Sequence, residues 1–231
     1  MGPKKKYKST SSSYTFDKGL SIYLIIVESP SKCSKIESYL GQNYKCIASK
    51  GHIRELTGLK NIDIKNGFQP NFTLIKEKQS HVQEMKKIIK QYPKHNVILA
   101  TDDDREGEGI AWHICELFDL SVKTTPRILF HEITKKALND AVNAPTKIDI
   151  HLVKAQQARQ ILDILVGFKI SPHLWKHVYS SKDKSLSAGR CQTPALRLIY
   201  DNFQEKKNIT PEKTYKTHGI FTERDIQFLL G

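Results

Sequence analysis

With 231 residues, 39% of them hydrophobic, the chain can bury one substantial core and the beginnings of a second domain. Lys and Arg number 37 against 24 Asp and Glu, a formal excess of +13. Such an excess favours a polyanionic partner, since each phosphate met by a cation releases a condensed counterion; basic ribosome-binding and membrane-surface proteins share the trait. The longest apolar runs, at 23–27 and 97–100, are far too short to span a bilayer, and the opening MGPKKKYKSTSSS lacks the apolar core of a secretory signal.

Residues 1–21 are rich in Lys and Ser without apolar periodicity, which predicts a disordered basic tail. YLIIV is a continuous apolar, β-rich run of the kind expected of a strand covered on both faces. ESPSK breaks it, KCSKIESYL follows with helical spacing through Ile36 and Leu40, and YKCIAS reads as a second strand ending near Gly51. Residues 56–79 form a polar connection. The run HVQEMKKIIKQY predicts a helix with Val82, Met85, Ile88 and Ile89 on one face, stopped by Pro93. VILAT is another buried strand, 107–118 another helix, and RILF a fourth strand before a helix starting near Thr134. Strands alternating with helices imply a parallel sheet between helical layers. Beyond about Pro145 the strand signals stop, and DIHLVKAQQARQILDILVGF and LRLIYDNFQEKK read as long helices. The scattered Cys33, Cys46, Cys115 and Cys191 form no CxxC pair and no zinc spacing, so reduced thiols in or near a core are expected.

The sharpest local feature is ATDDDREGEG, directly after the strand VILA, where open α/β sheets place their chemistry. In an extended segment Asp102 and Asp104 point the same way, and Glu106 continues that phase. Three convergent carboxylates repel unless a cation neutralises them, and hard oxygen ligands suit Mg²⁺. A solvated acidic turn opening a helix is the alternative. Glu28 ends the first strand. If the two strands are neighbours, the acidic cluster raises its pKa and suits it to act as a general acid, although taken by itself the carboxylate is better explained by helix capping. Lys32 follows within reach of a phosphate oxygen.

A Glu ending the first strand and a later DxDxE resemble the Toprim domain shared by topoisomerases and primases. VESPSKCSKIESYLG, SKGHIREL, IDIKNGFQPNF, LATDDDREGEGIAWHI, HEIT, KAQQARQILDILVGFKISPHLW and LSAGRCQTPALRLI extend the match. In order and spacing these segments resemble the type IA DNA topoisomerases across roughly 22–205. The resemblance implies a Rossmann-like Toprim sheet at 22–146, a mainly helical DNA-binding region at 147–207 and the start of a further domain at 208–231. It also implies ATP-independent breakage, passage and rejoining of single strands through a 5′-phosphotyrosine. On this reading Glu28 protonates the departing 3′-oxygen, Lys32 stabilises charge on the scissile phosphate, and Asp102, Asp104 and Glu106, with Glu28 beside them, hold Mg²⁺. His52 and Arg54 match positions close to the active site, while His52 equally fits a structural histidine.

QQARQILD sets Gln156, Arg159, Gln160 and Asp163 on neighbouring helical turns. Arg159 and Asp163 stand at ion-pair spacing, whereas the resemblance implies that Arg159 meets a DNA phosphate. Ser187, Arg190 and Gln192 fall at an expected helix start that favours phosphate. Gln160 and Phe168 stand where bacterial relatives that prefer a cytosine have Arg and Tyr, which puts that preference in doubt; Lys154 replaces the usual Asn. None of the nine tyrosines has the family's Tyr-x-Arg-Thr-Asp context, so the chain is expected to be an N-terminal fragment, inactive alone. Single-stranded or underwound DNA is the expected partner, with a separate chain as one source of the tyrosine domain and no membrane. The expected location is intracellular with DNA, in nucleoid, nucleus or viral factory. A Toprim primase or nuclease, or a non-catalytic DNA-binding remnant, are the competing readings.

Overall fold

The computed structural model describes residues 22–178, 186–208, 213–221 and 226–230. The basic tail expected at 1–21 lies outside them. Two compact units divide between Leu165 and Val166.

The first unit opens with β1 (Tyr23–Val27), α1 (Pro30–Leu40) and β2 (Tyr44–Ala48). The polar connection then folds into two-residue strands β3 (Arg54–Glu55), β4 (Ile62–Asp63), β5 (Gln69–Pro70) and β6 (Thr73–Leu74), paired β3 with β6 and β4 with β5. There follow α2 (Gln79–Ile89), β7 (Val97–Ala100), α3 (Arg105–Phe118), α4 (Lys135–Asn143) and α5 (Ile150–His177), which runs on into the second unit.

The central sheet has the order β2-β1-β7, all parallel. Its register aligns Val27 with Ala48 on one side and with Ala100 on the other, so all three strands end at one edge. Alternation along β1 explains its continuous apolar run. Leu24 and Ile26 pack with Val82, Met85, Ile110 and Ile114 from α2 and α3, while Ile25 and Val27 pack with Ile36 and Leu138 from α1 and α4. Burial on both faces leaves no solvent side for a polar residue.

RILF does not form the expected fourth strand. Arg127 alone bridges, parallel to Leu99 and antiparallel to Thr146. Leu99 N donates to Pro126 O and Ile128 N to Leu99 O, but Pro126 has no N–H with which to extend the ladder. Of the expected core thiols, Cys46 and Cys115 are buried and Cys33 is half-buried, whereas Cys191 is exposed.

The second unit contains the remainder of α5, then α6 (Gln192–Asn208) and the antiparallel pair β8 (Thr217–Phe221) and β9 (Ile226–Leu230). Within the described residues no helix is long and apolar enough to cross a membrane.

Candidate active site

The aligned strand ends bring the acidic segments together. Glu28 follows β1 and Thr101 follows β7, and the Asp102 amide donates to Glu28 Oε1 at 3.1 Å. The Lys32 ammonium, in the first turn of α1, forms an ion pair with Asp102 Oδ1. Partial burial raises the pKa of Glu28; the charges of Asp102 and Asp104 push the same way, against the Asp102 amide and Lys32, which lower it. A cleft of about 380 Å³ opens beside these groups, lined by Lys32, Asp102, Asp103, Asp104 and the segment 130–133.

Glu106 arrives by a different route from the one its spacing suggests. The extended segment stops at Asp104, which caps α3 by accepting from Gly107 N at 2.7 Å, and Glu106 lies in the first helical turn. Its carboxylate is 3.3 Å from His52 Nε2 and accepts from Gln156 Nε2 at 3.1 Å. His52 reaches this point because Lys50 and Gly51 take left-handed conformations, with φ of 61° and 85°, and turn the chain past the end of β2. Arg54 is instead held by aromatic groups: its guanidinium lies 5.7 Å from the Phe72 ring centre and 5.8 Å from that of Trp112, and it donates to Phe72 O at 3.3 Å.

The scaffold beneath the acids was not foreseen. Arg127 is fully buried, and its guanidinium donates to Glu108 Oε1 (2.9 Å), Thr101 O (3.0 Å), Thr101 Oγ1 (2.9 Å) and Asp102 O (3.0 Å). Glu108 also accepts from Asp149 N at 3.2 Å, tying the acidic turn to the chain entering α5. Gly107 permits the close turn, since a Cβ there would lie 2.0 Å from Asp102 O. At Gly109 a Cβ would sit 3.0 Å from the Gln156 side chain, so the missing atom lets Gln156 pack down, 1% exposed, towards Glu106. The glycines in REGEG were the available sequence signal.

Of the expected DNA-contacting residues, Arg159 and Asp163 form the i,i+4 ion pair that their spacing allows, at 3.9 Å. In the second unit Gln192 Nε2 donates to Ser187 Oγ at 3.0 Å, and Gly189 N donates to Thr193 Oγ1 at 3.2 Å. Arg190 stands exposed in the turn before α6, and Ala188 N is anchored on Ser171 Oγ at 3.0 Å. Phe168 is 53% exposed.

The Toprim domain family profile matches residues 23–133, and a DNA topoisomerase family profile matches 147–229. The crystal structure of full-length topoisomerase I from Thermotoga maritima superposes with a TM-score of 0.70 and 40% identity over 84% of this chain. Together these matches support the N-terminal portion of a type IA DNA topoisomerase. The chain spans 32% of the length of the Thermotoga enzyme.

Toprim domains bind divalent metal, and the donors of this type IA site suit one in part. Asp102 and Asp104 supply hard oxygens at the strand edge, and their charges add to partial burial in raising the pKa of Glu28. Lys32 supplies that positive charge at Asp102 here. Among the described residues no group of three or more acidic, His or Cys side chains converges on one point. Asp102 and Asp104 are the residues that would hold such a cation, with water and phosphate completing its shell.

Proposed function

We propose that this chain carries the Mg²⁺-dependent cleavage and rejoining site of a type IA topoisomerase together with part of its single-strand groove. The observation that carries the reading is the meeting of Glu28 with the Asp102 amide across neighbouring strand ends, beside Lys32 and Asp104.

Glu28, whose protonated form is favoured by burial and acidic neighbours, gives its proton to the departing 3′-oxygen and recovers it on rejoining. Lys32 leaves Asp102 to meet the scissile phosphate. Asp102 and Asp104, with Glu106 close by, hold Mg²⁺, which when bound supplies positive charge against the phosphodiester. His52 orients Glu106. Arg54 keeps the loop beside them in place by stacking on Phe72 and Trp112. Arg159 exchanges Asp163 for a backbone phosphate of the single strand, and in the second unit Ser187, Arg190 and Gln192 present donors at the start of α6. The attacking tyrosine comes from a domain outside these 231 residues, on the same chain or a separate one. The proposed division is a Toprim domain at 22–146, a helical DNA-binding region at 147–207 and a further domain from 208. The substrate is underwound DNA with single-stranded character, and the protein works where that DNA lies within the cell.

A chimera in which this chain replaces the region it matches in the Thermotoga enzyme tests the proposal. It should relax negatively supercoiled plasmid in Mg²⁺, and Asp102→Ala with Asp104→Ala should abolish relaxation. Undiminished relaxation in the double variant would refute the assignment of the acids. Mg²⁺-dependent nicking by the unmodified chain alone would favour a Toprim nuclease instead.

A further inference from the structure

A buried amide reaches the acidic site from α5. Gln156 lies in the second turn of that helix, in the same compact unit as the strand edge, and is 1% exposed. Its Nε2 donates to Glu106 Oε2 at 3.1 Å, and His52 Nε2 stands 3.3 Å from that same oxygen. The loop after β2 and the start of α5 thus converge on one atom of the carboxylate, and Glu106 Oε1 lies outside both contacts.

The other end of the amide has no such partner. Gln156 Oε1 is buried and accepts no hydrogen bond among the described residues. It faces α3, where a Cβ at Gly109 would lie 3.1 Å from it and 3.0 Å from Cδ. A buried carbonyl without a donor lowers stability, and a methionine of similar volume would fill the place without that loss. Packing therefore does not explain a glutamine at this position. Nor can the amide be reversed: a carboxylate only accepts, so the nitrogen has to face Glu106, and the opposite orientation would set two acceptors against each other.

We propose that Gln156 is a positioning residue for Glu106: its N–H, with His52, holds Oε2 and leaves Oε1 to the divalent cation that Asp102 and Asp104 bind. This rests on the reading of the strand edge as an Mg²⁺ site and adds to it a residue supplied by α5. Glu106 sits in the first turn of α3, after the extended segment has ended, so the strand edge that aligns Asp102 and Asp104 does not set its direction. A glutamate side chain has several rotatable bonds, and what its oxygens touch decides where it points. Donors to one oxygen restrict that rotation, in the way that outer partners orient metal ligands. An amide does so without a charge, so it does not compete with the cation as a lysine or arginine would. The missing Cβ of Gly109 is what gives the amide room to lie there.

Mg²⁺ is titrated calorimetrically into the full chain and into Gln156→Met, Glu106→Gln and the double variant, and the same proteins are melted without metal. Gln156→Met should bind Mg²⁺ about tenfold more weakly. It should melt no lower than the wild type, because the unpaired carbonyl leaves with the amide. In the Glu106→Gln background the same change should lower affinity less than about twofold, since the amide acts through that carboxylate. Gly109→Ala, whose added methyl presses on the Gln156 side chain, supplies a second route: it should weaken Mg²⁺ binding alone and add nothing beside Gln156→Met. Equal affinity in the wild type and Gln156→Met would overturn the proposal, as would an equal loss with and without the Glu106 carboxylate. A Gln156→Met chain that melts well below the wild type would mark the amide as a packing element and overturn it too. Normal wild-type binding with no response at Gln156 leaves the metal reading standing. Absence of Mg²⁺ binding in the wild type would sink that reading and this proposal together.

Discussion

Replacing Arg127 by alanine should be among the most damaging single changes in the first unit. The guanidinium is fully buried and makes four hydrogen bonds, one to the nearly buried Glu108 and three to the backbone and hydroxyl of the acidic turn. Truncation leaves the Glu108 carboxylate without its cation and strands two carbonyls, a loss of about 3–5 kcal/mol. Against a domain stability of about 5–15 kcal/mol, that removes about a fifth of the total or more. Urea denaturation followed by circular dichroism measures it directly. Arg127→Met with Glu108→Leu should cost less than either single change, because the pair leaves together and no charge stays buried. A loss below about 1 kcal/mol in Arg127→Ala would refute the view that this pair supports the acidic turn.

Gly107→Ala should lower the melting temperature clearly, since overpacking costs about 1–3 kcal/mol or more and the added Cβ meets backbone at 2.0 Å; an unchanged melt would contradict the geometry. His113 is 1% exposed, and burial, then the charges of Arg54 and His52, push its pKa from 6.5 to about 3. The unfolded chain therefore binds a proton that the folded chain refuses between those values. This contribution is fully present above pH 6.5 and is lost at about 1.4 kcal/mol per pH unit as the pH falls towards 3. Denaturation at a series of pH values should give a flatter profile for His113→Gln, and equal slopes would count against this assignment.

The parallel core was legible because β1 and β7 are apolar on both faces, and double burial leaves a signature that needs no partner to read. The start of α4 was legible through Thr134, whose hydroxyl accepts from Ala137 N at 3.2 Å. Glu28 and Asp102 were expected as neighbours only if their strands paired, and the register of β1 with β7 supplies that condition. What failed to show depends on contacts distant in sequence. Arg127 in RILF reads as the polar end of a strand, yet its charge is neutralised by Glu108 and its donors are taken by two carbonyls that only folding brings near. Glu106 does not continue the extended phase because the helix begins at Arg105, where the Asp104 cap outweighs strand continuation. The strands within 54–74 have two residues each, too few for alternation to be visible.

The most direct measurement is calorimetric titration of Mg²⁺ into the wild-type chain and into Asp102→Asn, Asp104→Asn and Asp201→Asn, the last altering only an exposed helix pair with Arg197. One class of site is predicted in the wild type, unchanged in Asp201→Asn and weakened at least about tenfold, or ~1.4 kcal/mol, in each of the other two. Equal Mg²⁺ affinity across all four proteins would contradict a cation site at the strand edge.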